Sequence, residues 1–374
     1  MKIAFIAPSY IPSRRANSIQ TMKMAQAFTL LGHQVMVLVP GDKPNISWEK
    51  DIAPHYGLSK KFELDWVPTK RIFRGYDFAL KSIRMAKKWH ADLIFTRHPQ
   101  SAALASERGI ATIFEAHDLP QGRMGPVFFQ RFIKGSGCKG LVSISDALLN
   151  AIKSIYELGD IPTHTAPDGV DLQRYKGLPA PTEARKHLGL TERFTAGYTG
   201  HFYRGRGIEV LLEIAGLLPD VQFLFAGGQQ NDIKLVSEVV KRNNLKNVIL
   251  TGFIKNAALP KYQAACDVLM MPYQLDVSGS SGGNIGKYLS PMKMFEYLAV
   301  GRPILSSELP VLKEILNENN SVLLPPEDAE KWADAIEKLK GNPEHSKSLG
   351  VEAKRNAENF SWQSRAEKIL SELN

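Results

Sequence analysis

Runs of six to eight nearly apolar residues recur along this chain, separated by longer amphipathic stretches. That rhythm admits few folds. KIAFIAP (2–8), QVMVLVP (34–40), DLIFTRHP (92–99), ATIFEAH (111–117) and GLVSIS (140–145) predict strands that are apolar on both faces. Such strands need cover on both sides, which helical crossovers around a parallel sheet provide. Helical patterns over 17–31 and 76–90 supply part of that cover. The rhythm breaks at DLQRYKGLPAPTEARKHLG (171–189), a proline- and charge-rich candidate linker. It restarts with FTAGYTG (194–200), VQFLFAGG (221–228), NVILTGF (247–253), DVLMMPY (267–273), RPILSS (302–307) and SVLLPP (321–326). The expected fold class is therefore α/β, with two doubly wound parallel-sheet domains over 1–175 and 190–358. Between them lies a cleft where strand ends meet. The tail, 359–374, reads as a separate helix that packs back on the first domain. At 374 residues the chain is long enough for two such cores.

Charge is unevenly spread. Residues 1–187 hold 26 Lys and Arg against 16 Asp and Glu, whereas 188–374 hold 21 against 22. The net charge of +9 thus belongs to the first half. Much of it lies in Lys60, Lys61, Lys70, Arg71 and Arg74, and in the helix over 76–90. There Lys81, Arg84 and Lys88 share a face, with Leu80, Ile83 and Trp89 available for apolar contacts. This helix fits either a solvated surface or peripheral contact with an anionic membrane. No aromatic-interleaved basic motif points to nucleic acid. No run approaches the roughly 18 apolar residues of a membrane span, and the early prolines Pro8 and Pro12 break any signal-peptide pattern. Cys138 and Cys266 are isolated, so neither a disulfide framework nor a zinc site is indicated and a reducing cytoplasm is expected.

The densest local signal is SPMKMFEYLAVGRPI, 290–304. Ser290 suits an N-cap and Pro291 the first helical position. Met292 and Lys293 follow in the first turn, where the helix dipole disfavours a cation. Glu296 interrupts an apolar face, and Gly301 ends the helix. The glycine-rich loop SGSSGGNIG (278–286) precedes it. A glycine-rich loop, a helix N-terminus and a local cation together can cradle a phosphate, although an ordinary αβ unit with one awkward lysine has the same pattern.

Taken together these residues resemble the GT-B glycosyltransferases, and within them glycosyltransferase family 4. The resemblance covers essentially the whole chain and implies two Rossmann-like domains. FEYLAVGRPI matches the family's helix-borne glutamate before a Gly-x-Pro strand, which implies that Glu296 contacts the donor ribose or sugar. It also implies that the backbone at the helix start, Ser290, Pro291, Met292 and Lys293, meets a diphosphate, Pro291 without an N–H to donate. The family's Gly-Arg-x4-Lys-Gly segment is matched by Gly200 followed by HFYRGRG. His201 takes the arginine place, Arg206 the lysine place, and Arg204 is an added cation. Asp168 stands in the place of an asparagine, and Phe253 and Ile254 are where backbone contacts to the nucleotide base are implied. His117, in EAHDLP, resembles the histidine near the reacting centre; a turn histidine capped by Asp118 is the plainer reading, and His98 sits at a similar strand end. Arg14, Arg15 and Asn17 are placed on the acceptor side.

Two departures mark the chain. The first member of the family's Glu-x7-Glu pair is replaced by Tyr288, and SRRANS (13–18) stands where a Gly-Gly loop is usual. With no Asp-x-Asp motif, neither a metal nor another cofactor is expected, and fixed cations would stabilise the departing diphosphate. The expected donor is a UDP- or GDP-sugar, and the expected acceptor a glycan or lipid-linked molecule of a surface polysaccharide, lipopolysaccharide or glycolipid. Retention of configuration is implied by the resemblance alone. A nucleotide-sugar epimerase and a non-catalytic sugar-nucleotide- or membrane-binding protein remain alternatives. GSGCKG (135–140) matches a dinucleotide fingerprint literally but precedes its strand, the reverse of the context that chemistry needs.

Overall fold

A computed structural model describes residues 1–73, 75–278 and 284–371. They form two compact units, Met1–Asp168 with the chain from Trp362 onward, and Gly169–Ser361.

In the first unit seven strands form one sheet: β1 (Lys2–Ile6), β2 (Gln34–Pro40), β3 (Glu63–Val67), β4 (Leu93–Thr96), β5 (Thr112–Ala116), β6 (Cys138–Ser143) and β7 (Thr163–Thr165). Their order is β3-β2-β1-β4-β5-β6-β7, and every pairing is parallel. β1 is central because its residues from Ile3 to Ile6 are all fully buried. Its Phe5 meets Phe95 edge-on at 5.0 Å, and Phe28 of the helix Ala16–Leu30 meets Phe95 at 5.3 Å. The two strands that the apolar runs did not announce, β3 and β7, are the sheet's edges. Their residues ELDWV and THT stay partly exposed, so no continuous apolar run marks them. The helix Tyr76–Lys88 buries Ile83, which therefore belongs to the core and not to a membrane-facing stripe.

The second unit has six parallel strands: β8 (Thr195–Gly200), β9 (Gln222–Gly227), β10 (Val248–Gly252), β11 (Val268–Met271), β12 (Ile304–Ser307) and β13 (Val322–Leu324). Their order is β10-β9-β8-β11-β12-β13. Each unit is thus a doubly wound, Rossmann-like sheet with helices between its strands. The segment expected as a linker is folded into this second unit. Residues Pro181–Leu188 form a helix whose Arg185, 4% exposed, reaches Asp267 at 2.7 Å and Glu192 at 2.6 Å. Arg174 donates to Asn256 Oδ1 at 2.6 Å. Proline there opens a helix and the charge includes a buried arginine held in two ion pairs, which is not a loose tether.

The literal dinucleotide fingerprint is also explained. It joins the helix Gly125–Lys134 to β6. A Cβ on Gly135 would lie 2.2 Å from Ser106 Oγ, and one on Gly137 2.2 Å from the Ile110 carbonyl oxygen. Close packing alone demands those glycines.

Candidate functional site

In the second unit the chain builds outward from β8 to one side and then returns to β11 on the other. The C-terminal ends of those two strands are therefore the switch point at which doubly wound sheets bind ligands. The loops leaving them are locked together. A Cβ on Gly205 would sit 1.9 Å from the Asp276 carbonyl oxygen, and one on Gly207 2.0 Å from that of Pro272. Both residues have positive φ, +82° and +74°. Glycine is required twice over, by backbone conformation and by contact. Gln274 N–H donates to Gly205 O at 2.9 Å, and Ser278 N–H to Arg204 O at 3.1 Å.

Arg206 lies between those glycines, with its guanidinium carbon 4.8 Å from the centre of the Tyr273 ring. Lys293 arrives from the first turn of the helix Met292–Val300. Its Nζ is 3.7 Å from the Tyr198 ring centre and 5.5 Å from that of Tyr273. Both Lys293 Nζ and Arg206 Nε are buried and without a hydrogen-bond partner among the described residues. Burial, then the nearby Arg206, push the Lys293 ammonium well below the usual lysine range, with Glu296 opposing. Two cations held on aromatic faces, neither in an ion pair among the described residues, form a pocket for an anion. Gly200 completes it: a Cβ there would come within 2.9 Å of Lys293 Nζ.

Glu296, one turn along the same helix, accepts from Gln263 Nε2 at 3.1 Å. Gln263 is fully buried; its oxygen accepts from Tyr175 at 3.1 Å, and its nitrogen also reaches Thr199 at 3.2 Å. The carboxylate is thus held in place by an interior network. His201 is half-buried and stacks on Tyr203 at 4.7 Å, its rings 4° from parallel. Arg204 is exposed at the rim. Phe253 and Ile254 follow β10, two strands from β8 on the same edge of the sheet.

The helix entry differs from expectation by one residue. Pro291 (φ −80°, ψ 120°) is the N-cap and Met292 the first helical residue, so Ser290 lies one position outside the helix. The pyrrolidine ring of Pro291 offers no acceptor, so the N-cap residue itself makes no side-chain cap hydrogen bond. Tyr288, half-buried, donates its backbone N–H to Ile285 O at 3.1 Å. Of the expected glycine-rich loop, residues 279–283 lie outside the described residues, as does Arg74 of the basic cluster.

The first unit places its candidate groups at the corresponding edge of its own sheet. Arg15 caps the helix after β1 through its backbone, Arg14 and Arg15 are exposed, and Asn17 lies in the first turn. His117 follows β5, and its Nε2 hydrogen-bonds Glu115 Oε1. Glu115, 1% exposed, also accepts from Gln20 at 2.7 Å and from Arg365 at 3.0 Å, while Arg97 Nε stands 3.8 Å away. Burial and the Arg97 charge hold His117 down at about 4, and Glu115 opposes them. Asp168, buried beside the same arginines, is pushed up to about 7 by burial. His98 is buried against Ser101 at 2.9 Å and Phe78, a core position. Sequence patterns missed Tyr198, Tyr273 and Gln263, which read as ordinary core. They also missed Glu115, although a lone carboxylate in an apolar strand was a usable signal. Among the described residues no three His, Cys, Asp or Glu side chains converge as metal ligands, and no helix is long and apolar enough to cross a membrane.

Residues 18–174 match the family described as Glycosyltransferase Family 4, and residues 193–342 the one described as Glycosyl transferases group 1. The D-inositol 3-phosphate glycosyltransferase of Arthrobacter sp. FB24 is 23% identical over 294 residues, 75% of this chain and 64% of that protein. The alpha-galactosylglucosyldiacylglycerol synthase of Streptococcus pneumoniae R6 is 24% identical over 202 residues, 52% of this chain and 50% of that protein. The matched stretch spans less than two thirds of the length of either relative. Among solved structures, sucrose-phosphate synthase of Thermosynechococcus elongatus superposes with a TM-score of 0.77 at 19% identity, over 99% of this chain and 97% of that one. HepE of Anabaena, in complex with UDP and glucose, gives 0.76 at 18% identity, over 100% of this chain and 99% of that one. Both have the two-domain GT-B fold of glycosyltransferases.

Proposed function

Because the chain belongs to glycosyltransferase family 4, we propose that it moves a sugar from a nucleoside-diphosphate donor to a glycan or lipid-linked acceptor. The carrying observation is the pair of half-buried cations at the β8–β11 switch point, Lys293 with its Nζ buried and Arg206 with its Nε buried, neither in an ion pair among the described residues. Both gain most when a diphosphate arrives, and more still as negative charge develops on the departing nucleotide. That is the condition for a rate effect rather than mere binding. The N-terminal end of the helix Met292–Val300 adds a fixed dipole of the same sense. Glu296, gripped by Gln263, positions the donor ribose or sugar. His117, held neutral at pH 7, accepts or donates a hydrogen bond to a sugar hydroxyl without adding charge. UDP or GDP is the proposed carrier, with UDP favoured by the complex of HepE with UDP and glucose. The proposed products belong to surface polysaccharide, lipopolysaccharide or glycolipid synthesis at the inner face of the membrane. Transfer is proposed to retain configuration, with the leaving phosphate taking the acceptor proton, and to need no metal.

A thermal-shift series with UDP-, GDP- and ADP-sugars, followed by transfer from the stabilising donor, tests this reading. Stabilisation by a nucleotide sugar, with nucleotide release that depends on an acceptor, is expected. A protein that binds UDP but releases none from any donor would be a non-catalytic relative instead.

A further inference from the structure

The first unit carries a cluster of large apolar side chains that its own core does not use. Ile72 is 80% exposed and Phe73 51%; Met124 is 44% exposed and Val127 43%. They come from two separate segments, the turn Arg71–Phe73 and the start of the helix Gly125–Lys134. The segments adjoin, since Tyr76 meets Phe128 edge-on at 5.5 Å. Exposed cations accompany both segments: Arg123 directly precedes Met124, and Arg84 lies two turns along the helix Tyr76–Lys88, at i+4 and i+8 from the exposed Leu80 and Tyr76. The nearby acids are already engaged. Asp77 accepts from Lys70 N–H at 2.7 Å and Phe78 N–H at 2.9 Å, and Glu107 is paired with Arg131 at 2.6 Å.

We propose that this face docks on the surface of an anionic bilayer, with Ile72, Phe73, Met124 and Val127 entering the acyl boundary and Arg84 and Arg123 meeting lipid phosphates. Protruding apolar groups beside exposed cations that are in no ion pair among the described residues have that chemistry, in which burial and charge attraction add. A second copy fits less well, because a two-fold contact would set the cationic rims against each other. The location gives the docking a use. Both segments follow strands at their C-terminal ends, β3 and β5, and a Cβ on Gly75 would sit 3.0 Å from His98 Nε2. The bilayer would then meet the same edge of the sheet as His117, where a lipid-linked acceptor rising from the headgroups could reach it.

The surface deepens the proposed action on a lipid-linked acceptor, so vesicle binding is measured without donor or acceptor and transfer to a soluble acceptor separately. The experiment is co-sedimentation of the full chain with phosphatidylglycerol/phosphatidylcholine vesicles and with phosphatidylcholine vesicles alone. The native chain is expected to partition at least about tenfold more strongly to the anionic vesicles. Ile72→Glu with Val127→Glu should lower that partition about tenfold or more, with circular dichroism unchanged. Arg84→Gln with Arg123→Gln should lower it about fivefold per charge and flatten its salt dependence. Absence of binding to anionic vesicles, or binding unchanged by both pairs, overturns the proposal. So does a dimer in light scattering that the Ile72→Glu/Val127→Glu pair dissolves, which would make a second copy the occupant. Loss of vesicle binding with transfer to a soluble acceptor intact supports it.

Discussion

Lys293 Nζ stands 3.7 Å above the ring of Tyr198 and has no hydrogen-bond partner among the described residues. A buried ammonium on a π-face is poorly compensated, and its proton affinity falls accordingly. Wherever the folded chain releases that proton and the unfolded chain keeps it, folding stability rises with pH. The window runs from the depressed folded value up to the unfolded lysine value of 10.5. An arriving diphosphate reverses the balance by favouring the charged form.

Proton uptake on donor binding is the consequence. Calorimetric titration of UDP in buffers of differing ionisation enthalpy, at a pH above the folded Lys293 value, should show uptake of a proton by the native chain. Lys293→Met should bind without it, more weakly, and with unliganded stability equal or higher, because an uncompensated cation has become apolar volume. Uptake that survives in Lys293→Met would place the titrating group elsewhere.

Arg206 should behave as a transition-state residue. Arg206→Ala and Glu296→Ala are each expected to cut transfer by about 10²- to 10³-fold, the scale for losing one preorganised charge-stabilising or positioning group. Melting temperatures should fall only modestly for Arg206→Ala, since its internal contacts are confined to the ring and hydroxyl of Tyr273 while its Nε is unpaired among the described residues. Turnover like the native chain's in either folded variant would remove the residue from the site. Arg206→Lys should recover only part, having lost the planar fork.

Gly207→Ala tests the loop contact on which Arg206 depends. The new methyl would face the Pro272 carbonyl at 2.0 Å in a backbone with φ +74°. The two switch-point loops must part, and donor affinity should fall even though no charge is lost. A variant with unaltered donor affinity and stability would show that the loops yield freely.

How much of this was legible beforehand depends on the range of the interactions. The glycines around Arg206 and the misplaced Lys293 lie in short segments whose local pattern already conflicted with a plain αβ unit, so their chemistry could be read. Tyr198 and Tyr273 could not, because an aromatic ending an apolar strand looks the same whether it packs a core or supports a cation. The edge strands β3 and β7 escaped because partly exposed strands carry no apolar run. The misread linker had the composition of a tether, but Arg185 finds Asp267 82 positions away. Glu115 was visible as an oddity in its strand. Its partner Arg365 lies 250 residues further on, beyond the reach of any local pattern.

That last pair makes the sharpest stability prediction. Arg365 donates to Glu115 at 3.0 Å and to the Ala166 carbonyl at 2.9 Å, with 3% of its side chain exposed. Arg365→Met removes one partner of a buried pair and should destabilise the chain by about 3–5 kcal/mol. Its pH signature is separable by sign. Glu115 is held below the usual carboxylate range by Arg365 and His117 against burial, so its stabilising effect is present above the unfolded pKa and is lost on acidification through the folded one. Asp168 works the other way: raised from 3.8 to about 7, it favours the folded state at low pH and loses that advantage as pH climbs through this interval. His117, held at about 4 against 6.5, adds stability as pH rises across its own interval and partly masks Asp168. Asp168→Asn should therefore make stability rise more steeply between pH 4 and 7 than in the native chain. The difference at pH 8 should be at most about 4 kcal/mol in favour of the variant. Denaturant unfolding of the two proteins at several pH values measures it, and identical pH slopes would mean that Asp168 is ionised throughout.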